Sequence, residues 1–228
     1  MNCKSLLFIS ALILSSCGFL FGQRSEASFS VGGIFTSDQN TTTTLAIACP
    51  VTQPNCNIFR THFQTDTGVA IEGSYAFRVI GLGVASLYAE FPVVGVPGRN
   101  VNVTIDNGGI ASSTTPISES AFFFTPSAKL KILPAAPISP FVSVGGGLAH
   151  FNAKLAGTSS ESSQNFGALQ YGGGLDFKTP LPLLSFRVEA RDYYSYSVLG
   201  GTSSIGGIAT SPQRLHHLFA GGGLVLHF

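Results

Sequence analysis

The stretch Leu184-Ser185-Phe186-Arg187-Val188-Glu189-Ala190-Arg191-Asp192-Tyr193-Tyr194-Ser195-Tyr196-Ser197 alternates with a period of two. In an extended chain successive side chains point to opposite faces. Arg187, Glu189, Arg191 and Tyr193 therefore share one face, and Phe186, Val188 and Ala190 share the other. The same period, rather than 3.6, runs through the chain past residue 26. It gives expected strands at Ala27–Ser37, Thr67–Arg78, Gly83–Val93, Ser120–Lys131, Pro140–Lys154, Asn165–Lys178, Leu184–Ser197 and Arg214–Phe228. These strands are longer than the 5–6 residues usual in soluble sheets. A tilted membrane strand needs about 9–11 residues, and the remainder can project beyond the bilayer.

The connections between these strands run 29, 4, 26, 8, 10, 5 and 16 residues. The odd-numbered ones are long and rich in Thr, Ser, Asn and Gly, whereas the even-numbered ones are tight and marked by Pro or Gly. An up-and-down barrel with short periplasmic turns and long external loops has this rhythm. Period two alone does not say which face points inward, since a periplasmic lipocalin-like barrel would alternate in the same way. The loop rhythm and the scarcity of charge on the strands favour the membrane version. The fold class expected is an all-β, eight-stranded, antiparallel up-and-down transmembrane β-barrel.

Composition agrees. Of 228 residues only 12 are Lys or Arg and 11 Asp or Glu, so 10% are charged; an ordinary soluble domain has about 25%. Glycine fills 27 positions where average usage gives about 16. Hydrophobic residues make up 44%, which excludes a disordered chain. A net charge of +1 without a Lys/Arg cluster leaves little to neutralise phosphates, so no nucleic-acid partner is expected.

Residues 1–22 read as a secretory leader: Lys4, the apolar run Leu6 to Leu14, then small residues. Two cleavage points compete. Leu14-Ser15-Ser16-Cys17 resembles a lipobox whose cysteine is lipidated, and a cut after Gly22 leaves Gln23 first. The apolar residues Phe19, Leu20 and Phe21 continue past Cys17 and fit the second cut better. The barrel domain is then 23–228. Cys49 and Cys56 remain in a polar stretch, where an exported pair at that spacing is expected to form a disulfide stapling one loop.

The chain ends Leu218-Phe219-Ala220-Gly221-Gly222-Gly223-Leu224-Val225-Leu226-His227-Phe228, an aromatic terminus with apolar residues alternating back through Leu226 and Leu224. This resembles the C-terminal assembly signal of bacterial outer-membrane barrels. The likeness extends through residues 123–131, 140–148, 172–176 and 187–194. Together these are similar to the small outer-membrane β-barrel family that includes OmpA-like and OmpX-like domains. The resemblance implies residence in the outer membrane of a Gram-negative-type bacterium. It also implies outer-membrane lipids and the barrel-assembly machinery as partners. Without Trp, an interfacial girdle must use Tyr and Phe. No peptidoglycan-binding domain is expected after Phe228.

With the polar faces turned inward, the lumen is expected to hold Arg78, Lys129, Lys131, Arg187 and Arg191 together with Glu72, Glu90, Asp176 and Glu189. Unpaired, each such charge would carry a desolvation cost of several kcal/mol. An eight-stranded interior is just wide enough for side chains to fill, so an interlocked network closing the barrel is favoured over a charge-lined pore. The glycine triplets at 145–147, 172–174 and 221–223 lack the strand-to-helix context of a phosphate loop and read as places of curvature and close packing. His216 and His217 are neighbours on a strand and point to opposite faces, so they cannot share a metal from one side. No cofactor or metal is expected. A lipid-modifying enzyme could be assembled on paper from Ser143, His150 and Glu189, but nothing in their spacing or facing links them, and a non-enzymatic protein is expected. Recognition of an extracellular glycan or protein is expected in the loops Asp38–Asp66 and Val94–Glu119, rich in Thr, Asn and Gly, because loops on a rigid scaffold carry binding.

Overall fold

The computed structural model describes residues 25–37, 39–44, 58–107, 112–155, 161–181, 183–196 and 214–228. The expected leader, residues 1–22 with Cys17, and the Cys49–Cys56 pair lie outside them. The strands are β1 (Ser25–Thr36), β2 (Gln39–Thr44), β3 (Ile58–Thr65), β4 (Gly68–Gly81), β5 (Ala85–Asn107), β6 (Ser112–Phe124), β7 (Ser127–Ile132), β8 (Ile138–Leu155), β9 (Glu161–Lys178), β10 (Leu184–Tyr196) and β11 (Arg214–His227).

All pairings are antiparallel. β1 pairs with β4, β4 with β5, and β8 through β11 follow in order. β6 and β7 both lie between β5 and β8, so they form a single stave. The ladder lapses between them at Thr125-Pro126 because proline has no N–H to donate. β1 pairs with β11 from Glu26↔His227 to Thr36↔His217 and closes the ring at eight staves. The closure is fastened at its end by Ser25 N–H to Phe228 C=O (2.7 Å) and Phe228 N–H to Ser25 C=O (3.0 Å). A closed ring leaves no unpaired edge within the bilayer, which lipid would not satisfy.

Alternation along the staves sorts the surface. Val31, Val69, Ile71, Val142, Val144, Leu169, Phe186 and Val188 are exposed on the outside, while Glu72, Asp176, Arg187 and Glu189, which alternate with such residues, are buried. This is the reverse of a soluble protein and places the polar faces in the lumen. At the short-turn end Phe228 and Tyr75 lie with ring centroids 6.3 Å apart. At the other end Tyr171, Tyr194 and Tyr196 face outward (an aromatic rim without Trp).

The long connections differ from their expected form. β5 runs 23 residues, about 76 Å at roughly 3.3 Å per residue, against a hydrocarbon core of about 30 Å. Most of Val94–Glu119 therefore belongs to a projecting β-hairpin whose arms are β5 and β6, with only 108–111 outside the described residues. Val96-Pro97-Gly98 has the signature of a turn, yet the chain passes it as a bulge between Val96 and Arg99 and continues as strand. The bulge switches which parity points inward. Val94 and Val96 are buried before it, Arg99 and Val101 after it. Asp38–Asp66 likewise contains the β2–β3 hairpin, and β3 joins the projecting part of β5 from Phe59↔Asn107 to Thr65↔Val101. The sheet β2-β3-β5-β6 rises beyond the membrane band as one platform.

Candidate functional site

The lumen has two layers. Toward the short turns lies a charged belt made by β1, β4, β5, β7, β9 and β10. Arg187 holds Asp176 in a two-point pair, Nε to Oδ1 at 2.7 Å and Nη2 to Oδ2 at 3.0 Å. Lys131 Nζ lies 2.6 Å from both Asp176 and Glu26. Lys129 Nζ bridges Glu26 (3.0 Å) and Glu90 (3.1 Å). Arg191 reaches Glu90 (2.9 Å) and Glu189 (2.9 Å). Serines complete the carboxylates: Ser30 donates to Glu189 at 2.7 Å and Ser127 to Glu90 at 3.2 Å. The Arg187 guanidinium also lies 4.6 Å from the centre of the Phe141 ring.

Glu72 is the exception. It is fully buried and 3.2 Å from Arg191 Nε, yet neither of its oxygens accepts a hydrogen bond. The composition of the belt explains its position. Lys129, Lys131, Arg187 and Arg191 are four cations, and Glu26, Glu72, Glu90, Asp176 and Glu189 are five carboxylates, all buried. The donors are taken up before Glu72 is served.

Above the belt the inward residues turn apolar. Phe123 sits at the centre, edge-on to Phe151 (5.6 Å between centroids, 86°) and 4.9 Å from Tyr193. Ile34, Val94, Ile117 and Phe219 pack into the same cluster. One pair lies within this layer: Arg99 Nη2 is 2.5 Å from Glu119 Oε1. Arg99 also donates to Thr36, which meets His217 Nδ1 at 2.9 Å.

Of the residues expected in the lumen, Glu72, Glu90, Lys129, Lys131, Asp176, Arg187, Glu189 and Arg191 are brought together. Arg78 is not among them. It lies at the end of β4 beside the register shift between Arg78 and Ile80, half-buried, and lines a mouth cavity of about 620 Å³ at the short-turn end. Sequence reading missed Glu26, one residue before the expected start of the first strand, although Glu26-Ser28-Ser30 continues the inward polar face. It also missed Arg99 and Glu119, hidden by the bulge at Pro97-Gly98. Replacing Arg78 by Glu26 turns an expected excess of cations into an excess of carboxylates. Leu224, Leu226 and Phe228 point outward and are exposed. Ser143 and Glu189 are buried inside the barrel while His150 faces outward, so the barrel wall separates them.

No family model matches the chain, and no curated protein matches it. Solved structures do. The outer membrane protein OprG of Pseudomonas aeruginosa superposes with a TM-score of 0.54 at 12% identity, over 90% of this chain and 95% of that one. The outer membrane protease OmpT of Escherichia coli superposes with a TM-score of 0.50 at 8% identity, over 90% of this chain and 97% of that one. At these identities the likeness is one of fold. The apolar exterior, the closed ring and the buried charges agree with that likeness: the chain folds as an eight-stranded transmembrane β-barrel, the fold of the outer-membrane proteins on which it superposes.

Proposed function

We propose that this protein is a closed, non-enzymatic barrel that anchors a rigid extracellular β-platform for contact with glycans or proteins outside the cell. The observation that carries this reading is the filled lumen. The largest fully buried side chains include Arg187, Arg191, Tyr193, Phe123, Lys129 and Phe151, all of them inward and interlocked. Packing of this kind supports an anchor rather than a conduit. The platform β2-β3-β5-β6 supplies an extended Thr-rich sheet, in which Thr104 and Thr114 meet across β5 and β6 (3.1 Å between hydroxyls). Hydroxyl-rich strands suit hydrogen bonding to sugars and to exposed backbone. Leu224, Leu226 and Phe228 face outward where the barrel-assembly machinery would read them during insertion.

The test displays the full chain on a laboratory bacterium and measures retention on a glycan array and on immobilised matrix proteins. A second strain carries residues 101–117 replaced by a two-residue turn. Retention by the full chain and its loss in the shortened one is the expected result, with heat-modifiable gel mobility unchanged in both. Equal retention by the two, or none by either, would overturn the proposal.

A further inference from the structure

The outer wall carries a second feature. Across β8, β9 and β10 at the long-loop end lies a groove of about 420 Å³ whose floor includes Gly146 and Gly167 and whose walls are Leu169, Tyr194 and Tyr196. Both glycines are exposed. A Cβ at Gly167 would meet nothing within 4 Å, so the groove exists because side chains are missing there. Arg214 closes one end. Its Nε donates to Tyr196 Oη at 3.0 Å, and its guanidinium lies 5.4 Å from the Tyr196 ring centre and 6.0 Å from that of Tyr194. Among the described residues no carboxylate pairs with it. The nearby outward acid, Asp192, is held instead by His216 (2.5 Å) and by the Tyr171 hydroxyl.

Above the groove on the same face stands a polar row. His150 Nδ1 lies 2.7 Å from Asn165 Oδ1, and Ser163 Oγ lies 3.4 Å from His150 Nε2. The register places Leu148 opposite Gly167 and His150 opposite Asn165, so this row is one strand step beyond the groove. Below it, Val144 and Leu169 are exposed to the hydrocarbon.

We propose that this groove binds one phosphorylated glycolipid of the outer leaflet. An acyl chain fills the gap over Gly146 and Gly167, the phosphate pairs with Arg214, and the sugar hydroxyls meet His150, Asn165 and Ser163. Each part matches one chemical portion of such a lipid. An apolar slot takes hydrocarbon, a cation without a carboxylate partner takes phosphate, and a hydroxyl- and amide-bearing row takes sugar. A phosphate-free lipid would leave Arg214 unused, and a lipid without sugar would leave the polar row unused.

The experiment titrates the folded, detergent-purified barrel with diphosphoryl lipid A and follows adducts by native mass spectrometry. Phosphatidylglycerol and diacylglycerol serve as comparison probes. The expected result is one lipid A per barrel, bound more tightly than either comparison lipid. Arg214→Gln should weaken it about tenfold, the worth of one charge-assisted contact. Gly167→Leu should fill the groove and weaken it at least as much, and Gly146→Leu serves if that variant does not fold. Unchanged affinity in Arg214→Gln and in the filled-groove variant would overturn the site, and so would equal binding of phosphatidylglycerol.

Discussion

Arg187→Ala should lower the unfolding free energy of the barrel in lipid vesicles by about 3–5 kcal/mol. Arg187 is the only group that meets Asp176 through two parallel hydrogen bonds among the described residues, and it adds longer pairs to Glu26 (3.6 Å) and Glu90 (3.7 Å). Truncation leaves Asp176 buried with Lys131 alone and empties the space against Phe141. Most of the loss is the cost of an under-compensated buried charge, so a second substitution, Asp176→Asn, should recover part of it. Glu72→Gln is the contrast. That carboxylate accepts no hydrogen bond and is the fifth acid among four cations. Its neutralisation should leave stability unchanged or slightly raised. Urea titrations of the variants check both expectations. A fall for Glu72→Gln as large as that for Arg187→Ala would refute the charge count of the belt.

Gly223→Ala should prevent closure of the ring. A Cβ at Gly223 would lie 1.9 Å from the carbonyl oxygen of Phe29 and 2.6 Å from Cα of Ser30, both backbone atoms of β1. Gly223 pairs with Ser30 on β1 and with Arg187 on β10. The only relief is separation of the seam strands, which breaks ladder hydrogen bonds at the point where the barrel closes. Overpacked cores commonly lose about 1–3 kcal/mol; a clash with backbone at the seam should exceed that range. The measured sign is loss of the heat-modifiable species on a gel. Gly167→Ala, with open space around its Cβ, should stay within about 0.5 kcal/mol of the parent. Equal folding yields for the two alanine variants would show that the seam is looser than its backbone distances imply.

These expectations rest on features of unequal legibility. The alternation in β10 and β4 was plain because a polar inner face met an apolar outer one. In Phe122-Phe123-Phe124 the contrast vanishes, since Phe123 points into an apolar upper lumen while its neighbours face lipid. Period two cannot register a face change when both faces are hydrophobic, so Phe123 and Phe151 could not be read as the aromatic layer that meets Tyr193. Arg99 and Glu119 escaped for a different reason, since Pro97-Gly98 lies inside the expected loop Val94–Glu119. The same dipeptide serves a turn or a bulge, and only pairing with β6 decides, because Arg99 must come inward to meet Glu119. Glu26 was readable, as it continues the inward row of Ser28 and Ser30. The outer groove was not, because it depends on glycines from two strands falling beside tyrosines from a third.

The central claim is that the lumen is shut by its own side chains. Single-channel recording of the refolded chain in planar bilayers tests it most directly, with heat-modifiable mobility showing that the barrel has formed. A folded barrel that stays silent across the voltage range is the expected result. Stable current steps whose ion selectivity shifts in Arg191→Gln would show an open, charge-lined passage and contradict it.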